Sequence, residues 1–373
     1  MDISSSSFSL RHKPIDWKRL GIALERGEPG SYDSSVTGDP CIVWDAEYEC
    51  YRMFYFAQRH ENGAEVNSNA HAIASSDDEL PTNWRKLGPI TYENPEHLLG
   101  DAHKPWILMD PFRPNIPAQI EGHFWLFMAV WHGSTKRIQV AKSSSLNGRW
   151  HVQAEPVIDL GAEHEFDSYH NDTVTAYWFA DRNDILIFYK GYPAQPQIDQ
   201  PYSPFGSSSA VAVMKPDGLK AQKLGKIIPP SDDVSHWLAG WIGGIQIFPA
   251  EKGGWYGLLN GSPTPPASIE DEPNMREPAP SQGGWAYTAE AWPISGWKPE
   301  SEPIERIENI PAAAQKNGEG VNIWRHHAMV SAIGNLFLFY NTGSYGQERM
   351  FVRQCLSNDV AIDANLTIDP VES

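Results

Sequence analysis

Aspartate and histidine recur along the chain beside turns or at the front of aromatic strands: Asp39, Asp101, His103, Asp167, His170, Asp172, His236, His326 and His327. No HExxH, paired CxxC, GxSxG or Rossmann glycine pattern accompanies them, so short-motif zinc, serine-nucleophile and dinucleotide chemistry have no support. Any shared chemistry has to come from convergence in space. Glycosidic-bond cleavage asks for such a set. One group protonates the leaving oxygen, one carboxylate activates water or attacks the sugar, and a third charge tunes the donor. Lys104, Trp131, His132, Asp167, His170, Trp237, Trp241 and His326 are the candidate sugar contacts, because aromatic faces stack on the C–H faces of sugar rings. Most of the aromatic residues are expected in the core.

The elements that would gather these groups are visible as a repeat. A module of roughly 60–85 residues, the size of a four-stranded propeller blade with its loops, recurs five times. Modules start near residues 38, 101, 166, 236 and 325, each with a His-, Asp- or Gly-rich segment followed by aromatic and then small-apolar strands. In Tyr51–Ala57 and Ile185–Lys190 apolar residues fill both faces, as in strands sandwiched between neighbouring sheets. Helical periodicity is absent over any long window. The reading is all-β: residues 1–373 as one five-bladed β-propeller, with strand-like sequence beginning near residue 39. In a propeller the innermost strands converge on the axis, so the module starts would share one cavity. Two proline-rich insertions, from Gly191 and from Gly261, cannot form regular structure and are expected at the cavity rim.

The bulk numbers narrow the partners. Fifteen Trp, 14 Tyr and 14 Phe stand with 30 Gly and 30 Pro, the pattern of short aromatic strands joined by tight turns. A net charge of −18 without clustered Lys and Arg argues against nucleic acid and against anionic membranes. No apolar run reaches the ~18 residues of a membrane span. The first residues contain no apolar leader segment, which fits a cytoplasmic protein or a secreted one whose leader has been removed. Cys41, Cys50 and Cys355 are read as small buried apolar residues rather than disulfide partners.

The stretch Gly38-Asp39-Pro40-Cys41-Ile42-Val43, with HAIASSDD and NWRKLGPI after it, resembles the first blade of glycoside hydrolase family 117. The likeness continues in Phe166-Asp167-Ser168, Asn171-Asp172, Ile187–Gly191, Ser235-His236-Trp237 and Gly243-Gly244, about half the chain; family 43 is similar more distantly. Family 117 contains 3,6-anhydro-L-galactosidases. The resemblance implies Asp39 as general base, Asp172 as auxiliary aspartate and His236 as general acid, with Glu319 or Glu165 as alternative donors. It implies an exo-acting, inverting hydrolase of an oligosaccharide. The chain departs from the family at Asp172-Thr173 (family Asp-Pro), at Trp237 (family acidic residue) and at Pro105-Trp106 (family Pro-Glu), and no long N-terminal helical extension is expected, since strand-like sequence begins near residue 39.

Two other readings share the fold. A family-130-type phosphorylase would hold phosphate with Arg325, His326, His327 and Lys104. A non-catalytic carbohydrate-binding propeller would need no opposed acids. No cofactor is implied; an axial metal ion on His170, His326 or His327 is the sole candidate. The oligomeric state is left open.

Overall fold

The computed structural model describes residues 8–75, 83–271, 281–316, 318–320, 327–332, 335–344, 346–357 and 361–362. Nearly all regular structure is β, with one five-residue α-helix, Ala312–Lys316, among the described residues.

Apart from a two-stranded pairing of Ser9–Leu10 with Ala361–Ile362, the described strands form five antiparallel four-stranded groups, the second and third joined into one eight-stranded sheet. The first sheet holds Val36–Asp45, Cys50–Glu61, Ala64–Ser75 and Arg85–Pro89, and the second Ala102–Ile107, Phe124–His132, Thr135–Ser143 and His151–Val152. The third holds His170–Phe179, Asp184–Tyr192, Ser208–Met214 and Gln222–Ile228. It touches the second through one parallel bridge, His170 to Lys136. The fourth holds Trp241–Pro249, Trp255–Ser262, Gln282–Thr288 and Lys298–Pro299. His327–Ala332, Asn335–Thr342 and Arg349–Cys355 make the fifth, whose outer strand is Trp17–Leu24 from the chain's other end.

That closing strand was not legible in advance, since strand-like sequence was expected to begin near residue 39. Its WKRLGIAL sequence carries two cations and a glycine at φ +101°, so it reads as a loop. Tertiary pairing overrides that weak propensity. Arg19 reaches Glu305 and Glu319, and buried Arg353 on the neighbouring strand binds both acids as well. Tyr340 donates to Glu319 at 2.6 Å. Two arginines therefore meet two carboxylates, which is what lets charges sit at this depth.

The first strand of one sheet contacts the first strand of the next, from sheet one through sheet four, and that of sheet five contacts sheet one. Side chains stitch this ring together. The Ile107 amide donates to Cys41 Sγ at 3.2 Å, Trp106 Nε1 to the Ala176 carbonyl at 3.2 Å, and Thr175 Oγ1 to the Ile245 carbonyl at 2.6 Å. Cys41, Ile107, Ala176 and Ile245 are buried here, and each sheet packs its apolar faces on its neighbours. All three cysteines are buried and unbridged, and burial pushes the Cys41 thiol up to about 12.

Candidate active site

The first strands of four sheets carry the same defect at the same place. Between Gly38 and Cys41, His103 and Trp106, Asp172 and Thr175, and Ile242 and Ile245, one extra residue interrupts the pairing. A bulge of this kind re-aims side chains. Three bulges put a non-glycine residue in the left-handed region: Asp39 at φ 50°, Lys104 at 54° and Thr173 at 42°. For a β-branched threonine this is an outlier, and strain of that kind persists only where surrounding structure enforces it. Gly38 is needed for space, because a Cβ there would lie 2.9 Å from the Asn341 side-chain nitrogen.

The bulges line an open cavity holding about 760 Å³ of empty space, counting the part open to solvent. Every sheet contributes. Asp39 comes from the first, Lys104 and Lys136 from the second, Asp172 and Lys190 from the third, Trp241 and Asn260 from the fourth, and Asn341 and Glu348 from the fifth. A second pocket of about 400 Å³ shares Asp39, Lys104 and Asn260 and reaches Thr175 and Ile245 beyond the bulges.

Asp172 is the electrostatic centre. Its carboxylate accepts from Lys104 Nζ at 2.9 Å and Lys136 Nζ at 3.1 Å, and its other oxygen takes the Thr173 amide at 2.7 Å. Burial alone would raise its pKa; the two ammoniums outweigh burial and hold the carboxyl well below the usual carboxylate range. Asp172 is therefore an anion at any working pH and has no proton to give. His103 Nε2 lies 3.6 Å from Asp172, beyond hydrogen-bond length. Burial, and then the Lys136 charge, lower His103 to about 4, so its imidazole is neutral. His170 is lowered to about 3 by the same two causes and accepts the Lys136 amide on Nδ1 at 3.0 Å.

Aromatic rings hold the ammoniums in place. Lys136 Nζ sits 4.4 Å from the centre of the Trp131 ring, and Lys190 Nζ 4.1 Å from that of Trp241 and 4.5 Å from that of Tyr192. Such contacts fix a long flexible side chain while leaving donors for a ligand.

The structure brings together Asp39, Asp172, Lys104, Trp131 and Trp241, with His170 packed edge-on behind Trp131 at 5.6 Å. It does not bring His236 to the cavity. That residue lies in the turn before the fourth sheet, where Nδ1 accepts the Leu238 amide at 3.1 Å and Nε2 donates to the Glu300 carbonyl at 3.1 Å. Trp237 is buried beside it and donates to the same carbonyl at 2.8 Å. Asp167 is buried within the third sheet, accepting from Tyr189 at 2.9 Å and pairing with Lys223 at 2.7 Å. His132 is exposed at a hairpin.

Neither alternative donor reaches the cavity. Glu319 belongs to the arginine cluster that closes the fifth sheet, and exposed Glu165 caps a loop by accepting the Ala162 amide at 2.7 Å. Asp101 accepts the Asn67 amide at 3.1 Å. Arg325 and His326 lie outside the described residues, as does the side chain of His327. Among the described residues no group of three His, Cys, Asp or Glu is arranged to hold a metal ion. Among the charged cavity residues, the sequence did not reveal Glu65, Lys136, Lys190 and Glu348. Lys190 carried a signal, a lone cation inside the apolar run ILIFYKGY.

No protein-family model matches the sequence, and no curated protein matches it. Solved structures match over almost the whole chain. A glycoside hydrolase aligns with a TM-score of 0.66 at 14% identity, covering 91% of this chain and 93% of its own. A thermostable family-43 glycoside hydrolase aligns at 0.61 and 15% identity, covering 92% and 95%. A third aligns at 0.55 and 12% identity, covering 94% and 95%. It is described with the family-130 mannoside phosphorylases, which contain glycoside hydrolases targeting β-1,2 mannosidic linkages in Candida mannan. The chain thus has the fold of the glycoside hydrolase propeller enzymes.

Proposed function

We propose that residues 1–373 form one five-bladed β-propeller whose hub cavity is the active site of an exo-acting glycoside hydrolase. The observation that carries this reading is Asp39. A strained bulge holds it 7% exposed in a cavity that contains two further buried acids, Asp172, committed to its lysines, and Glu348, 3% exposed. Two acids facing one space are what glycosidic cleavage requires.

In this reading Asp39 is the general base. Its backbone amide is tied to Asn341 Oδ1 at 3.4 Å, which fixes the bulge against the fifth sheet. Glu348 replaces His236 as the proton donor, because it lines the cavity and His236 does not. The Thr37 amide donates to the Glu348 carbonyl at 3.2 Å, anchoring the donor's backbone beside the strand that carries Asp39. Asp172, held ionised by its lysines, orients Lys104 and Lys136 and supplies the third charge. Trp131 and Trp241 hold Lys136 and Lys190 at the cavity wall. Water attack with inversion is the outcome assigned. Family 117 remains one origin for this arrangement, but His236, the acid that resemblance assigns, does not reach the cavity.

Phosphorolysis is the second reading, favoured by the three lysines that line the cavity. One experiment separates them. The protein is incubated with agar, carrageenan, arabinan, galactofuranosyl and uronate-containing oligosaccharides, with and without phosphate, and products are followed by NMR. A free monosaccharide released without phosphate, with its anomeric configuration inverted, supports the hydrolase. A sugar phosphate formed only with phosphate supports the phosphorylase. No product from any glycan overturns both and leaves a binding propeller.

A further inference from the structure

The charges in the cavity are unevenly distributed. Asp39, Glu65 and Glu348 stand on the side of the first and fifth sheets, whereas Lys104, Lys136 and Lys190 come from the second and third, where Asp172 is the one acid among the described lining residues. A protein with 47 acidic and 29 basic residues has placed three lysines on one wall of its hub. Composition does not account for that.

The second-sheet lysines do more than neutralise Asp172. Lys104 and Lys136 both bond one carboxylate oxygen, and among the described residues no other acid pairs with either of them. Two ammoniums against one carboxylate leave one positive charge, on side chains only 15% and 13% exposed. His103 and His170, neutral at working pH, neither add to it nor cancel it. Concentrating uncompensated charge at a poorly solvated wall is costly unless a counter-charge arrives.

A second observation is independent of the charge count. His103 lines the cavity, is 3% exposed, and neither ring nitrogen has a hydrogen-bond partner among the described residues. Buried polar atoms of this kind are rarely left unsatisfied. A neutral imidazole both donates and accepts, so it suits an oxygen that sits beside the lysines.

We infer that the cavity takes a sugar bearing an oxyanion, a uronic acid whose carboxylate seats on Lys104, Lys136 and His103. This rests on the glycosidase reading and names its substrate class. The bond to be cut then faces the opposite wall, where Asp39 and Glu348 stand. The charge separation thus sets the orientation of the ring as well as its identity, since the reversed pose would bring carboxylate against carboxylate. Inorganic phosphate presents the same oxyanion chemistry and needs its own arm in the test.

Binding is measured by calorimetry on the full-length protein, with galacturonate, glucuronate, galactose, glucose and inorganic phosphate as probes. At least one uronate is expected to bind about 10-fold or more tightly than its neutral parent, with affinity falling as salt rises. Lys136→Met abolishes the preference and Lys136→Arg keeps it; the salt dependence of the wild type serves if the methionine variant misfolds. Uronates binding no better than neutral sugars overturn the inference, and so does phosphate binding without uronate binding. These readouts need no turnover. If neutral glycosides are cleaved while uronates show no preference, the hydrolase stands and the substrate class falls.

Discussion

Asp39 and Lys104 hold the same place in successive sheets. Each is the extra residue of a bulge in a first strand, each lies in the left-handed region, at φ 50° and 54°, and each is followed by proline. The proline lacks an amide proton, so a bulge is one of the few positions it can occupy inside a paired strand. One backbone device thus delivers a carboxylate from one sheet and an ammonium from the next into a single cavity.

The donor assignment is tested by leaving-group dependence. Glu348→Gln should lower turnover of an ordinary sugar–sugar linkage by ~10²–10⁴-fold. It should spare an aryl glycoside whose leaving group departs without a proton. Steady-state kinetics on both substrates check this. An equal loss on both removes Glu348 from the role.

His236 gives the complementary case. With both ring nitrogens bound to backbone outside the cavity, His236→Gln should leave turnover within about threefold, well short of the ~10²–10⁴ carried by a proton donor. It should cost ~0.5–1.5 kcal/mol of stability for a lost hydrogen bond. Kinetics and urea unfolding on one preparation decide. A hundredfold fall in turnover with the fold intact would restore His236 as the acid.

Acid should weaken the hub before the carboxylates titrate. His103 and His170 are depressed in the folded state, to about 4 and about 3, from an unfolded value of ~6.5. Their contribution to stability is present above ~6.5 and is lost as pH falls toward the folded values, at up to ~1.4 kcal/mol per pH unit for each imidazole. Asp172 acts in the same direction but only below its unfolded pKa of ~3.9, so it leaves this window alone. The stability read from urea unfolding should fall between pH 6.5 and 5 in the wild type, and His103→Gln should remove about a third of that slope, since buried His71 is lowered to about 4 as well. Equal slopes in the two proteins would mean that His103 is not buried neutral.

The sequence disclosed what the chain's local chemistry marks. Asp39-Pro40 and Lys104-Pro105 announce themselves, because a proline at the front of an apolar strand signals a break in pairing. The module starts read near residues 38, 101, 166, 236 and 325 stand beside strands that begin at Val36, Ala102, His170, Trp241 and His327. Lys136 and Glu348 gave no such sign: one follows a hairpin turn and the other ends a polar loop, positions where charged residues are ordinary. His236 stays outside the cavity because it lies in the turn before the fourth sheet, bound to backbone there, while that sheet reaches the cavity through Trp241 and Asn260. The Trp17–Leu24 strand depends on a partner more than 300 residues away, which no local pattern records.

The most direct test compares Asp39→Asn with the wild type. Asparagine tolerates the left-handed backbone that position 39 demands, so the bulge and the melting temperature should survive the change. Release of monosaccharide from the oligosaccharide that the wild type cleaves should fall by ~10²–10⁴-fold or more, with binding of that sugar retained. A folded Asp39→Asn protein turning over at the wild-type rate would contradict the account.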